Sequence, residues 1–256
     1  MPRPLARALR ASVAIVAFCA LWELLPRIGV VDQPFLTPFS DVLRQLRVLA
    51  ENGTLWTHVS TSLGRALAGF AIAVAIGIPA GLLIGWYTSV AQVVNPLLTA
   101  FHNTAALALL PVFILLLGIG EASKIAIVVY ACFFPVVLNT VTGVREVDPL
   151  LIKSARSIGL SQLRLFQKVV LPAAVPMIFT GVRMAGTYSI LVLIAAEMVG
   201  AKAGLGFLIN SSQFNFQIPS VYAGILTISV IGITINALLV RLERRFSRWR
   251  TTPVTP

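Results

Sequence analysis

Six apolar runs separated by short polar or charged stretches organise this chain. They lie at roughly 11–31 (ASVAIVAFCALWELL onward), 63–86, 94–117, 125–144, 177–199 and 221–240. Each is close to the ~20 residues a helix needs to cross a ~30 Å hydrocarbon core. The third is interrupted by His102-Asn103-Thr104 and by Pro111. The pattern predicts an all-α protein with six transmembrane helices. The first run follows PRPLARALR, a beginning that secretory signals share. No small-residue cleavage pattern follows it, and Trp22, Glu23 and Pro26 fit the outer end of a retained span.

Two polar segments carry their own patterns. In 32–62, QPFLTPFSDVLRQL reads as an extended stretch and then a short surface helix, with Ser40 and Asp41 as cap candidates. Residues 145–175 form the longest loop on the other side and read as two short helices. Asp148 and Pro149 suit the N-cap and first position of one helix. Leu151, Ala155 and Ile158 then share a face. Gly159 suits a left-handed stop, and Ser161 is placed to cap the second helix. In that helix Leu163, Phe166 and Val170 share a face, and Pro172 is expected to end it. Residues 200–220, with GLGFLI and NSSQFN, are expected to dip back toward the outer mouth.

In the second run Gly69, Ala73, Gly77, Gly81 and Gly85 recur every fourth residue. That spacing lines one helix face with residues that let another backbone approach closely. Ordinary packing within the chain is the favoured reading over a subunit interface.

Composition settles the class. The chain is 57% hydrophobic, with a mean hydropathy of +0.90 and 11% charged residues, against about a quarter charged in soluble domains. It is read as an integral membrane protein, a single transmembrane domain over residues 1–256. A net charge of +11 in a soluble protein would point to nucleic acid; here the basic residues sort by side. Arg3, Arg7, Arg10, Arg145, Lys153, Arg156, Arg164, Lys168, Arg241, Arg244, Arg245, Arg248 and Arg250 fall on one side, against Arg27, Arg44, Arg47, Lys124 and Lys202 on the other. The positive-inside rule makes both termini cytoplasmic.

Cys19 and Cys132 sit in apolar runs and read as packing residues, not a disulfide. His58 and His102 have no ligand partners at metal spacing, so no metal is expected. There is no GxxxxGK[ST] phosphate loop and no nucleophile–base constellation, so the chain is not read as an enzyme.

Three readings compete for the 145–175 loop: a DNA-binding helix-turn-helix, a helix lying on anionic lipid, and a docking element for a cytoplasmic protein. Its residues carry a resemblance. Lys153-Ser154-Ala155, three residues, Gly159, nine residues and Val169-Val170-Leu171-Pro172 resemble the cytoplasmic loop of permease subunits of bacterial ABC importers. That family's pattern is Glu-Ala-Ala, three residues, Gly, nine residues, Ile-x-Leu-Pro. Lys153 stands where the family carries Glu, and Ser154 where it carries Ala. Residues 109–148 and 195–210 resemble the nitrate, sulfonate and taurine branch. One departure is Ala105, where many relatives have proline; its absence predicts a straighter third span.

The resemblance implies a plasma-membrane, multi-pass importer subunit of bacteria. Its coupling loop (about 145–175) would dock on a separate ATPase through Lys153, Ser154, Ala155, Gly159, Val169, Leu171 and Pro172. It further implies a second permease copy, as a homodimer, two ATPase subunits that bind ATP and Mg, and an extracytoplasmic substrate-binding protein. The cargo would be a small anion of sulfonate, taurine or nitrate type. This chain itself would hold no cofactor and contact lipid, with no nucleic acid.

Polar groups at membrane depth are functional candidates. Asn103, Thr104, Asn139, Arg183, Glu197 and Asn236 qualify. Asn103, Thr104 and Glu197 are chosen for the translocation path, with a structural role as the alternative for Glu197. Arg183 and Glu197 read as lying near opposite ends of their span, where side chains reach water. The rival function is an ion-gradient-driven secondary transporter, which would call for midplane ionisable groups and often internal repeats; no convincing repeat is visible.

Overall fold

The computed structural model describes residues 3–31 and 35–246, the side chains of 3–12, 15 and 244–246 excepted. The orientation reading leans on Arg3, Arg7, Arg10, Arg244, Arg245, Arg248 and Arg250, all of which lie outside the described side chains. The elements among the described residues are helical: α1 (Arg3–Arg27), α2 (Phe39–Glu51), α3 (Thr54–Trp86), α4 (Thr88–His102), α5 (Leu110–Leu117), α6 (Glu121–Arg145), α7 (Pro149–Ser157), α8 (Gln162–Leu165), α9 (Leu171–Glu197), α10 (Leu205–Phe214) and α11 (Ile218–Phe246). A 3₁₀ turn, Ala106–Leu109, precedes α5, and a π turn, Phe166–Val170, joins α8 to α9.

Among the described residues, α3, α6, the stretch Gln162–Glu197 and Ile218–Glu243 are each long and apolar enough to cross a membrane. Thr88–His102 and Ala106–Leu117 qualify together as one pair bent by 86°. The first predicted run lies within the 25-residue α1 and the turn after it.

The core is a three-helix layer of α3, α6 and α9. The every-fourth-residue row on α3 faces an equally regular row on α6. A methyl group added to Gly69, Gly77, Gly81 or Gly85 would fall 2.6–2.9 Å from Val128, Val136, Thr140 or Val144 respectively. Ala73 and Cys132 occupy the same core cluster. Because both rows ascend together, α3 and α6 run parallel. On its other side α6 meets α9 antiparallel: Gly143 lies against Ala174 and Met177, and Gly181 against Pro135 and Asn139. The Cys132 thiol donates to the Ala185 carbonyl at 3.2 Å.

Parallel neighbours need a connection that returns along the full length of the layer, and the bent pair provides it. The straighter third span expected from Ala105 is corrected here. Asn103 N–H bonds to the Thr99 carbonyl and Thr104 N–H to the Phe101 carbonyl, both at 3.1 Å, closing α4. Ala105 then adopts φ −59°, ψ 118°. Proline is locked near that φ, so alanine holds the bend without the ring. Pro111 lies in the first turn of α5, where its missing N–H costs nothing.

Two further expectations change. Pro172 does not end the second loop helix: the chain is helical from Gln162 to Glu197. The π turn widens the helix just before the proline, Leu171 N–H bonding back to the Phe166 carbonyl, so Pro172 enters as a first-turn residue of α9. At α2 the N-cap is Pro38 without a side-chain bond. Ser40 is drawn instead to Glu23 of α1, its N–H and hydroxyl donating to the carboxylate at 2.9 and 3.0 Å. α3 starts at Thr54, nine residues before the predicted Leu63, because Gly53 turns the chain with φ +77° and the polar segment after it continues the helix.

Two alanine substitutions on α3 separate the seam from ordinary helix propensity. Gly64→Ala meets nothing within 4 Å and is expected to stabilise by about 0.5–1 kcal/mol. Gly81→Ala places Cβ 2.6 Å from Thr140 Cβ and 2.9 Å from the Val137 carbonyl, an overpacking that costs about 1–3 kcal/mol. Thermal unfolding of the two variants in detergent, followed by size-exclusion fluorescence, should move in opposite directions.

Candidate functional site

Three regions hold the polar chemistry: the α7–α8 end of the layer, a cavity at the α4–α5 break, and a buried ion network at the opposite end.

At the α7–α8 end, the Asp148 carboxylate accepts from Leu150 N–H at 2.8 Å and Pro149 opens α7. Gly159 reverses the chain at φ +78°, a conformation strained for residues with a Cβ. Ser161 holds the N-cap position of α8 (φ −64°, ψ 156°) but its side chain makes no capping bond. The apolar positions divide. Ala155, Leu165 and Val170 are buried, and Val170 joins Val144, Val147, Ala174 and Ile178 in a cluster that Ile152 and Phe166 cover. Leu150, Leu151, Ile158 and Leu163 face outward, the last two 78% and 66% exposed. Lys153, Ser154, Gly159 and Pro172 are exposed, while Val169 and Leu171 are half-buried. The result is a pair of short helices with four exposed apolar side chains, rooted in the core by Leu165 and Val170.

At the break, a cavity of roughly 460 Å³ is lined by His102, Thr104, Tyr130, Asn139, Met184 and Tyr188, among others. Of the residues chosen for the path, Thr104 is on its wall; its hydroxyl donates to the Ala100 carbonyl at 3.2 Å. Asn103 is exposed beside the break and does not line this cavity. Asn139 does, its amide held by the Pro135 carbonyl at 2.8 Å.

Glu197, chosen for the path with a structural role as the alternative, is enclosed. Its side chain is 0% exposed, and both carboxylate oxygens are engaged. Oε1 accepts from Arg65 Nη1 at 2.8 Å; Oε2 accepts from the Ser62 hydroxyl at 2.7 Å and from Gly206 N–H at 3.0 Å. It is not among the residues lining the cavity at the break; it organises the segment between α9 and α10. Arg65, 5% exposed, also donates to the Ala203 carbonyl at 2.7 Å and pairs with Glu121, whose side chain is 64% exposed. Three successive N–H groups at the start of α10 are taken: Gly204 by His58 Nδ1 at 3.1 Å, Leu205 by Ser62 Oγ at 2.8 Å, and Gly206 by Glu197. Those groups have no partner inside the helix. A Cβ at Gly204 would sit 2.3 Å from the Glu197 carboxyl, and one at Gly206 2.3 Å from the Ile194 carbonyl. The GLG of GLGFLI is therefore the seat of this carboxylate. Lys124, 1% exposed, donates to the Gly200 carbonyl at 3.4 Å and fixes the same segment.

Sequence reasoning missed Arg65, Ser62, His58 and Lys124 as one unit. The available signal was a pair of opposite charges, Arg65 and Glu197, at the matching ends of two apolar runs. Arg183 lies about 18 Å along α9 from Leu171 and about 21 Å from Glu197 at 1.5 Å per residue, level with Glu243, where the apolar stretch of α11 ends. Its Nη1 donates to Glu243 of α11 at 2.9 Å.

Residues 62–248 match the family model described as binding-protein-dependent transport system inner membrane component. The chain is 35% identical to a Brucella abortus protein named as an ABC transporter permease, over 90% of each chain. It is 32% identical to the taurine transport system permease protein of Escherichia coli, over 96% of this chain and 92% of that one. A Bacillus subtilis permease named for aliphatic sulfonates transport is 34% identical over 91% and 84%. Among solved structures, the MetNI methionine ABC transporter in an inward-facing form superposes with a TM-score of 0.67 at 18% identity, covering 75% of this chain and 96% of that chain. That likeness concerns the fold.

The ion network predicts a graded set of losses. Glu197→Ala leaves the Ser62 hydroxyl and Gly206 N–H without their acceptor and Arg65 with Glu121 as its one carboxylate partner, which costs about 1–3 kcal/mol. Glu121→Ala removes a mostly exposed partner and is expected to cost no more than about 1 kcal/mol. Thermal unfolding in detergent ranks the two, and proteolysis of the 198–204 segment should rise for the first variant only.

Proposed function

The chain belongs to the binding-protein-dependent transport inner membrane component family, and from that premise we propose that it carries a small organosulfonate, of taurine or alkanesulfonate type, across the membrane. As a member, it is a multi-pass plasma-membrane permease subunit of an ABC importer, not an ion-driven secondary transporter, and the ATPase is a separate subunit. The observation that carries the cargo reading is similarity over at least nine-tenths of the chain to permeases named for taurine and for aliphatic sulfonates.

The proposed arrangement has six crossings: α1, α3, the bent pair, α6, α9 with its α8 extension, and α11. The α7–α8 end is cytoplasmic, as are both termini, and the Arg65 end faces the binding protein. The exposed apolar side chains of Leu150, Leu151, Ile158 and Leu163 support a docking role for α7–α8. An apolar surface there is costly in water and needs a partner. Lys153, Ser154 and Gly159 border that contact; Ala155, Val169, Leu171 and Pro172 fix the loop to the span. Two ATPase subunits, a second copy of this chain and an extracytoplasmic binding protein complete the importer, with ATP and Mg held by the ATPases. Thr104 and Asn139 line the path in each copy.

Purification of the tagged chain from its native membrane should bring down an ATPase and, with a crosslinker, a binding protein that retains taurine or an alkanesulfonate. Recovery of a binding protein selective for another solute class would sink the cargo reading. Gly159→Val strains the φ +78° turn by about 1–2 kcal/mol. It is expected to lower binding-protein-stimulated ATP hydrolysis at least fivefold while the chain still inserts; unchanged stimulation would count against the docking role.

A further inference from the structure

A second cavity, roughly 450 Å³, opens between α9 and α11 and is lined by Arg183, Met184, Thr187, Tyr188, Asn236 and Val240. Met184 and Tyr188 also line the cavity at the α4–α5 break. The two spaces therefore abut across these side chains, and a solute beside Thr104 has this cavity as its neighbour. Among the lining residues of both, Arg183 is the only arginine, lysine or carboxylate. Its partner Glu243 is the last residue of the apolar stretch of α11, which places the guanidinium toward the α7–α8 end of the spans. The Arg183 side chain is 39% exposed, so it is not sealed into packing as Arg65 is.

The hydrogen bonding is lopsided. Glu243 accepts from Nη1 at 2.9 Å, and no other side-chain bond of Arg183 exists among the described residues. The Asn236 amide and the Tyr188 hydroxyl likewise have no hydrogen-bond partner among the described residues. Free N–H and O–H donors thus converge on one space. Guanidinium geometry matches oxyanions through paired donors, and the Glu243 bond fixes the group so that little freedom is lost on binding. Glu243 also offsets the guanidinium's charge and so weakens its attraction for an anion. A transport station needs that balance, since a solute must enter readily and still leave.

We propose that Arg183, with Asn236 and Tyr188, forms a transient station for the sulfonate group of the cargo between the α4–α5 break and the α7–α8 end. Glu243 positions the guanidinium and weakens its hold. This inference rests on the sulfonate reading of the cargo.

The test uses the complete importer, this chain with its ATPase and binding protein, in proteoliposomes. Radiolabelled taurine uptake and ATP hydrolysis are read together. Arg183→Gln is expected to lower taurine carried per ATP at least tenfold, with stimulated hydrolysis within twofold of wild type. Arg183→Lys should keep at least a third of the ratio. The charge swap Arg183→Glu with Glu243→Arg preserves the ion pair but places an acid in the cavity, and it should not restore uptake. Wild-type uptake from the swap, or an unchanged ratio in Arg183→Gln, overturns the station and leaves the cargo reading intact. If Arg183→Gln fails to assemble, Glu243→Gln decides: a ratio kept or raised supports the station, and loss of uptake marks a purely structural pair. A wild-type importer that hydrolyses ATP but carries neither taurine nor ethanesulfonate removes the cargo reading and this inference with it.

Discussion

The close approach of α3 and α6 is the constraint from which the rest of the layer follows. Lipid supplies no hydrophobic drive between helices, so association depends on packing. The row from Gly69 to Gly85 against Val128 to Val144 brings two backbones together over four helical turns. It also fixes direction. Two consecutive long helices in parallel force the chain between them to return through the bundle, and that return is the bent pair. The break that makes the return lines a cavity with Thr104 and Tyr130. A packing rule on one helix face thus creates, two elements later, a largely apolar cavity with a few polar groups on its wall.

The other end is tied by charge. Arg65 on α3, Glu121 on α6 and Glu197 on α9 bring the three helices to one guanidinium. A buried pair adds little net stability over an apolar substitute, so its value lies in what it orders. Gly204, Leu205 and Gly206 have their N–H groups consumed by α3 and α9 side chains. The start of α10 therefore has one available position, and the segment before it is held rather than loose.

Local patterns in the sequence disclosed the periodic parts of this molecule and hid the tertiary ones. The small-residue row, the Asp148–Pro149 helix start and the Gly159 turn are each contained within one element and obey one spacing. Arg65 and Glu197 lie 132 positions apart, and nothing periodic links them. Pro172 and Ala105 misled for a related reason. A proline stops a regular α-helix, but a π turn placed just before it lets the helix continue. A bend needs a dihedral pair and not a particular ring, and Ala105 supplies the pair.

That π turn bears on how motion would pass through the subunit. From Gln162 to Glu197 the chain is one helical rod of 36 residues, about 54 Å long. One end carries the exposed Leu163; the other is Glu197, locked to Arg65. A displacement at Leu163 cannot be absorbed by a loop, because there is none. It is absorbed at the π turn, where hydrogen bonding is least regular, or it moves α9 as a body. Beside the turn, Phe166 packs on Trp86 with ring centroids 5.1 Å apart, at the edge of a cavity of roughly 540 Å³ lined also by Leu82, Tyr87 and Leu163. Val170 and Ala174 are sealed in the core, so the inner side of the turn is held while its Phe166 side borders the Trp86 and Tyr87 surface.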